Sequence, residues 1–207
     1  PNYETPTDAG ANNVYNITVG ASDGTVTTSK AVAVTVTNDA NEAPEFTSGG
    51  DASFAENASG TVYTATAIPE AGKSLTYSLT GADAALFNID ATTGVVTFKS
   101  SPNYEAPGDA GGNNVYDVTV TASDGTLSST KDVAITVSNV NEAPTITSAA
   151  TASFAENGSG TVYTAAASDL DAGATLTYSI SGADASLFNI DATTGVVTFK
   201  SSPNFEA

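Results

Sequence analysis

The stretch VYDVTVTASDGTLSSTKDVAITV, Val115 to Val137, decides the fold. Tyr116, Val118, Val120 and Ala122 alternate with Asp117, Thr119 and Thr121, and Val133, Ile135 and Val137 alternate with Asp132, Ala134 and Thr136. Period-two alternation turns one face of an extended strand into a core and the other outward. Asp124-Gly125, between the two runs, is a tight-turn signal. These residues predict a long β-hairpin. Upstream, Leu75, Tyr77 and Leu79 alternate in the same way, and shorter strands are expected near 45–48, 52–55, 60–67, 87–90 and 95–99. Thr92-Thr93-Gly94 turns one strand into the next, and residues 82–86 suit a single helical turn. Seven or so short strands with frequent turns describe an all-β sandwich of immunoglobulin-like architecture. Tyr63, Tyr77, Tyr116, Phe87 and Phe98 are its expected core aromatics.

The hairpin is not unique. Ala21-Ser22-Asp23-Gly24 returns as Ala122-Ser123-Asp124-Gly125, and Phe54-Ala55-Glu56-Asn57 returns as Phe154-Ala155-Glu156-Asn157. Pro1-Asn2-Tyr3-Glu4 recurs from Pro102 and, with Phe for Tyr, from Pro203, while Phe87–Ser101 is repeated unchanged as Phe188–Ser202. The chain is therefore a tandem array of units about 100 residues long. Asn-Glu-Ala-Pro at 41–44 and 141–144 marks the linkers, because proline cannot donate to a ladder and favours extended backbone before it. The expected domains are 1–43, the tail of one unit; 44–143, a complete unit; and 144–207, the front of a third. The chain reads as a window on a longer array. Because the two partial units are complementary, bare ends are not expected. Neighbouring repeats, or other copies joined head to tail, should complete them.

Composition narrows the chemistry. The 207 residues carry 23 acidic and five basic side chains, a net charge of −18, and no Cys, His, Met or Trp. A phosphate backbone or anionic lipid needs a basic footprint that is missing here. Thiolate, imidazole, disulfide and His/Cys zinc chemistry cannot be built. No apolar run reaches the ~20 residues of a membrane-spanning helix. What remains, carboxylates with amides and backbone carbonyls, suits hard cations.

The motifs in order resemble a cadherin-type repeat, of the sort also found in large bacterial surface proteins. They are Phe54-Ala55-Glu56-Asn57, Asp169-Leu170-Asp171, Asn103-Tyr104-Glu105, Asp124-Gly125 and Asn139-Val140-Asn141-Glu142-Ala143-Pro144. The resemblance covers essentially the whole chain. It implies Greek-key sandwiches end to end, with Ca²⁺ at each junction stiffening an extracellular, cell-surface fibre or adhesin; the strands of each sandwich are expected to be antiparallel. Calcium takes six to eight oxygens at ~2.3–2.6 Å, a mix such a junction can supply. For the second junction the resemblance implies Glu56, Glu105, Asn139, Asn141, Glu142, Asp169 and Asp171 as ligands. For the first it implies Glu4, Asn38, Asp39, Asn41, Glu42, Glu70 and Asp124. Departures are visible. The first junction reads Ile68-Pro69-Glu70, losing one aspartate, and Asn2, Asn103 and Asn204 stand where the family has Asp. The first junction is expected to be the poorer.

Asp124 serves a hairpin turn whether or not it binds a cation, and Asp83, Asp90, Asp184 and Asp191 are expected in turn or cap roles. The functional reading is a calcium-rigidified structural and adhesive segment rather than an enzyme, with neighbouring repeats, or a cell-surface protein or glycan, as partners. The alternative is a carbohydrate-binding accessory module of a secreted polysaccharide-degrading enzyme, a reading the absence of Trp weakens.

Overall fold

The structure, a computed structural model, describes residues 1–39 and 42–206. It is all-β, with two single-turn 3₁₀ segments, and divides into two compact units, Pro1–Asn139 and Val140–Ala207.

In the first unit, β1 (Val14–Ser22) and β2 (Thr27–Thr35) form a two-stranded antiparallel ribbon. A β-sandwich follows. β3 (Glu45–Phe46) pairs with β6 (Ala67–Ile68) in a two-stranded sheet, and β5 (Thr61–Thr64), β9 (Val95–Phe98) and β8 (Phe87–Ile89) form a three-stranded one. A four-stranded sheet has the order β4 (Asp51–Ala55), β11 (Ser128–Ser138), β10 (Val115–Ser123), β7 (Thr76–Thr80). The expected helical turn is the 3₁₀ segment Ala84–Leu86.

Alternation in the sequence becomes alternation in burial. Tyr116, Val118, Val120 and Ala122 on β10, and Val133, Ile135 and Val137 on β11, are buried against Val62, Tyr63, Phe87 and Val96 of the facing sheet. The core aromatics interlock, with the Tyr116 ring edge-on to Phe98 at 5.1 Å and to Phe87 at 6.0 Å. Edge-to-face rings add to the burial of apolar area. Gly94, at φ +70°, turns β8 into β9 so tightly that a Cβ there would lie 2.4 Å from the Ala65 carbonyl oxygen. No other residue fits that turn.

One expectation is corrected. The sandwich is not antiparallel throughout, because β4 runs parallel to β11, from Asp51↔Ala134 to Ala55↔Ser138. The first strand changes sheets between β3 and β4. Gly49-Gly50 makes that crossing, where a Cβ on Gly50 would lie 2.9 Å from the Asp132 carbonyl oxygen.

The second unit repeats the front of this sandwich. β12 (Thr145–Ile146) pairs with β14 (Ala167–Ser168), and β13 (Thr161–Thr164), β16 (Val196–Phe199) and β15 (Phe188–Ile190) form a three-stranded ladder. Residues 151–155 and 175–181, the counterparts of β4 and β7 and their approaches, form no strand. Among the described residues no helix is long and apolar enough to cross a membrane.

Candidate metal centre

Three glutamates from separate stretches of the first unit converge. Glu4 follows Asn2, whose side-chain oxygen accepts the backbone N–H groups of Glu4 (2.8 Å) and Thr5 (3.0 Å). Asparagine at this position builds the turn that presents the glutamate. Glu42 comes from the linker, and Glu70 from the loop after β6. One carboxylate oxygen from each lies within 4.8 Å of the others. Oxygens bound to one calcium at ~2.4 Å cannot be more than ~4.8 Å apart, so this spread is what a shared ion requires.

Glu70 anchors the group. It is 4% exposed, its Oε1 accepts the Asn38 amide at 2.6 Å and the Ala71 N–H at 3.0 Å, and its Oε2 accepts the Glu42 N–H at 3.3 Å. The Asn38 amide, followed by the two backbone donors, holds its carboxyl below the ordinary glutamate value despite burial. It stays ionised. Glu42 is pushed the other way, first by desolvation and then by the charges of Glu4, Glu70 and Asp39. Both oxygens of Glu4 are buried, and among the described residues neither has a hydrogen-bond donor. A buried carboxylate with no donor is costly unless a proton or a cation meets it. The donor set is all oxygen and the orphaned pair faces like charges, so these residues fit a hard cation.

Asp124 lies close enough for its charge to act on Glu70. Its Oδ1 is occupied by the hairpin, accepting the N–H groups of Thr126 (2.7 Å) and Leu127 (2.8 Å). Those two bonds, Leu127's first, hold its pKa below the usual aspartate value, and the ammonium of Lys73 assists. Lys73 itself donates to the Thr126 hydroxyl at 3.1 Å. Asn41 lies outside the described residues.

The residues expected at the second junction divide between the two units. In the first unit, Glu56 is 2% exposed, accepts the Tyr104 N–H at 2.8 Å, and brings a carboxylate oxygen within 4.8 Å of one from Glu105. Asn139 ends that unit. In the second unit, Asp171 Oδ2 accepts the Glu142 N–H at 2.8 Å, Asp169 Oδ1 accepts the Asp171 N–H at 2.9 Å, and Asn141 donates to the Glu142 carbonyl at 2.9 Å. Asp171 and Glu70 thus hold their linker glutamates through the same backbone contact, which makes Glu70 the counterpart of Asp171.

Sequence reasoning missed two features. Asn38 works as a donor that fixes Glu70. Asp83 is not a local cap, because it ties the 110 loop and β10 together through the N–H groups of Ala110 and Asp117, each at 2.7 Å. Asp90 and Asp191 do hold turns, each accepting two threonine N–H groups.

No protein-family model matches the chain, and no curated protein does. Solved structures do. Human protocadherin-24 EC1-2 superposes with a TM-score of 0.59 at 23% identity, over 78% of this chain and 81% of that one. Drosophila N-cadherin EC1-4 gives 0.57 at 22% identity, over 86% of this chain and 44% of that one. Mouse cadherin-23 EC22-24 gives 0.51 at 24% identity, over all of this chain and 68% of that one. The carbohydrate-binding reading finds no support among these neighbours. At this identity the likeness concerns architecture, and the chain has the fold of cadherin extracellular domains.

Proposed function

We propose that the chain is a calcium-stiffened structural and adhesive segment of a long extracellular repeat protein, organised as a repeat tail (1–43), a complete repeat (44–143) and a repeat front (144–207). One observation carries this reading. Glu4, Glu42 and Glu70, from the end of one repeat, the linker and the start of the next, converge to the spacing of a calcium shell, with the Glu4 oxygens buried and lacking donors. Glu4, Glu42 and Glu70 would hold the ion, with Asn38, Asp39 and Asp124 beside them. At the second linker the ligands are Glu56, Glu105, Asn139, Asn141, Glu142, Asp169 and Asp171. Bound calcium neutralises the acids and fixes successive repeats to one another. Neighbouring repeats are the immediate partners.

The first linker is the weaker site. Ile68-Pro69 replaces an acid-bearing turn, and Lys73 already places a positive charge beside Asp124, where the second unit has Ala174. Affinity is expected in the extracellular range of ~10⁻⁴–10⁻³ M. Calorimetric titration with calcium, paired with X-ray scattering in calcium and in chelator, tests the reading. Saturable binding with a longer, stiffer particle in calcium is expected. Unchanged stoichiometry and unchanged scattering in the Asp169→Ala/Asp171→Ala variant would refute the assignment at the second linker.

A further inference from the structure

We propose that Glu45, which lies outside the motifs that carry the family resemblance, is an outer carboxylate of the cation site at the first linker, where it restores part of the charge lost at Ile68-Pro69. The inference rests on the calcium reading above and adds a residue to it. Glu45 opens β3, beside Phe46. Phe46 packs against the core, so the period-two pleat turns Glu45 to the opposite face. Its direct cross-strand partner is Ile68, and Ile68-Pro69 stands in place of the second unit's Asp169 turn. Glu45 is therefore placed next to the gap that the missing aspartate leaves. It lines one cleft of about 150 Å³ together with Glu4, Glu42, Ile68 and Glu70. Both Glu4 oxygens are buried, and among the described residues neither has a donor, an independent sign that this cleft is built to receive a cation.

Asn2 ties Glu45 to the three converging glutamates. Its Nδ2 donates to Glu45 Oε2 at 3.4 Å, while its Oδ1 accepts the N–H groups of Glu4 and Thr5. An aspartate in place of Asn2 could accept those N–H groups but has no donor for Glu45, and its charge would repel it. Asn2 and Glu45 thus form a matched pair: the amide gives up a charge at its own position and holds one across the cleft. The second unit is arranged the other way. There Thr145 takes the place of Glu45 and pairs with Ser168, and the acid comes from Asp169 in the turn that follows. The oxygens that meet within 4.8 Å belong to Glu4, Glu42 and Glu70. Glu45 stands outside them and acts through Asn2 and through its charge. Outer groups that hold and polarise metal ligands are typically worth tenfold or more in metal affinity.

The test titrates the full, isotope-labelled chain with calcium chloride and follows backbone amide resonances. The Ala71 N–H, held by Glu70, reports the first linker, and the Asp171 N–H, held by Asp169, reports the second. Both should shift saturably in the parent chain. Glu45→Thr installs the residue that the second unit carries at this place and keeps a good strand former on β3. It should weaken calcium about 10-fold at Ala71 and leave the midpoint at Asp171 unchanged. Glu45→Gln keeps the size and an acceptor for Asn2 without the charge, and should share the loss at Ala71. In chelator, Glu45→Thr should melt no lower than the parent, because it removes one negative charge from a crowded acidic cleft. A residue that serves only the fold would melt lower. An unchanged midpoint at Ala71, an equal loss at both linkers, or a lower melting point in chelator would overturn the role of Glu45 while leaving calcium at the first linker in place. No shift of Ala71 in the parent chain would overturn the calcium reading there, and the proposal with it.

Discussion

Val120 and Val19 hold the same position in two copies of one hairpin, with exposures of 0% and 53%. Truncating each to alanine therefore isolates burial from local sequence. Val120→Ala removes two methyl groups from a closed core, a transfer loss of about 1.6 kcal/mol at ~0.8 kcal/mol per buried carbon. If roughly 50 Å³ stays open, the cavity adds about 1.2 kcal/mol at ~24 cal/mol/Å³. The total is about 3 kcal/mol. Val19→Ala loses about half the transfer value and leaves no cavity, since water already reaches the site, so its cost is about 0.8 kcal/mol. Far-UV circular dichroism in urea, on dilute protein in chelator, reads both. At ~4–8 °C per kcal/mol for a domain of this size, Val120→Ala should also lower the melting temperature of the middle repeat by more than ~10 °C. Equal losses for the two variants under dilute conditions would refute the assignment of burial.

Other expectations concern charge. Glu42 has a raised pKa, so it favours the folded state when protonated. In chelator, stability should therefore rise as pH falls through its folded value toward the ordinary glutamate value. Glu42→Gln should melt higher than the parent in chelator and lose calcium affinity by isothermal titration. Asp124 has a depressed pKa, so its stabilisation is complete above ~3.8 and disappears as pH falls through the folded value. Asp124→Asn should flatten that acid limb in melts recorded between mild and strong acid. Lys73→Ala removes the ammonium beside Asp124 and should tighten calcium at the first linker several-fold by calorimetry. Gly94→Ala combines a positive φ with a clash against the Ala65 carbonyl and should cost upward of ~2 kcal/mol in denaturant unfolding.

The strands and their faces were legible because Val, Ile, Thr and Tyr at period two have one way to sit on a pleat. Tyr116, Val118 and Val120 are buried in the order the sequence implies. The parallel pairing of β4 with β11 was not legible, because it depends on a sheet change at Gly49-Gly50 that leaves no periodic trace. At the acidic cluster, the identities of Glu4, Glu42 and Glu70 could be read from motif order. The division of labour among them could not. It arises from which side chain finds a donor: Glu70 meets the Asn38 amide, while Glu4 meets none among the described residues. Asp83, expected in a turn or cap role, was not legible because its partners, Ala110 and Asp117, lie far along the chain.

The parallel pair also fixes how the middle repeat answers a pull. β4 lies near the start of the repeat and β11 at its end, and they run the same way through five paired positions. Tension applied through the two linkers drags these strands past each other lengthwise. The bonds between them are loaded in shear and must rupture together, whereas a hairpin pulled from its open end unzips one pair at a time. The clamp is closed by residues at opposite ends of the repeat's sequence, so force reaches it before it reaches the core. A sandwich wired this way resists stretching most at its own two ends, which is where a tether transmits load.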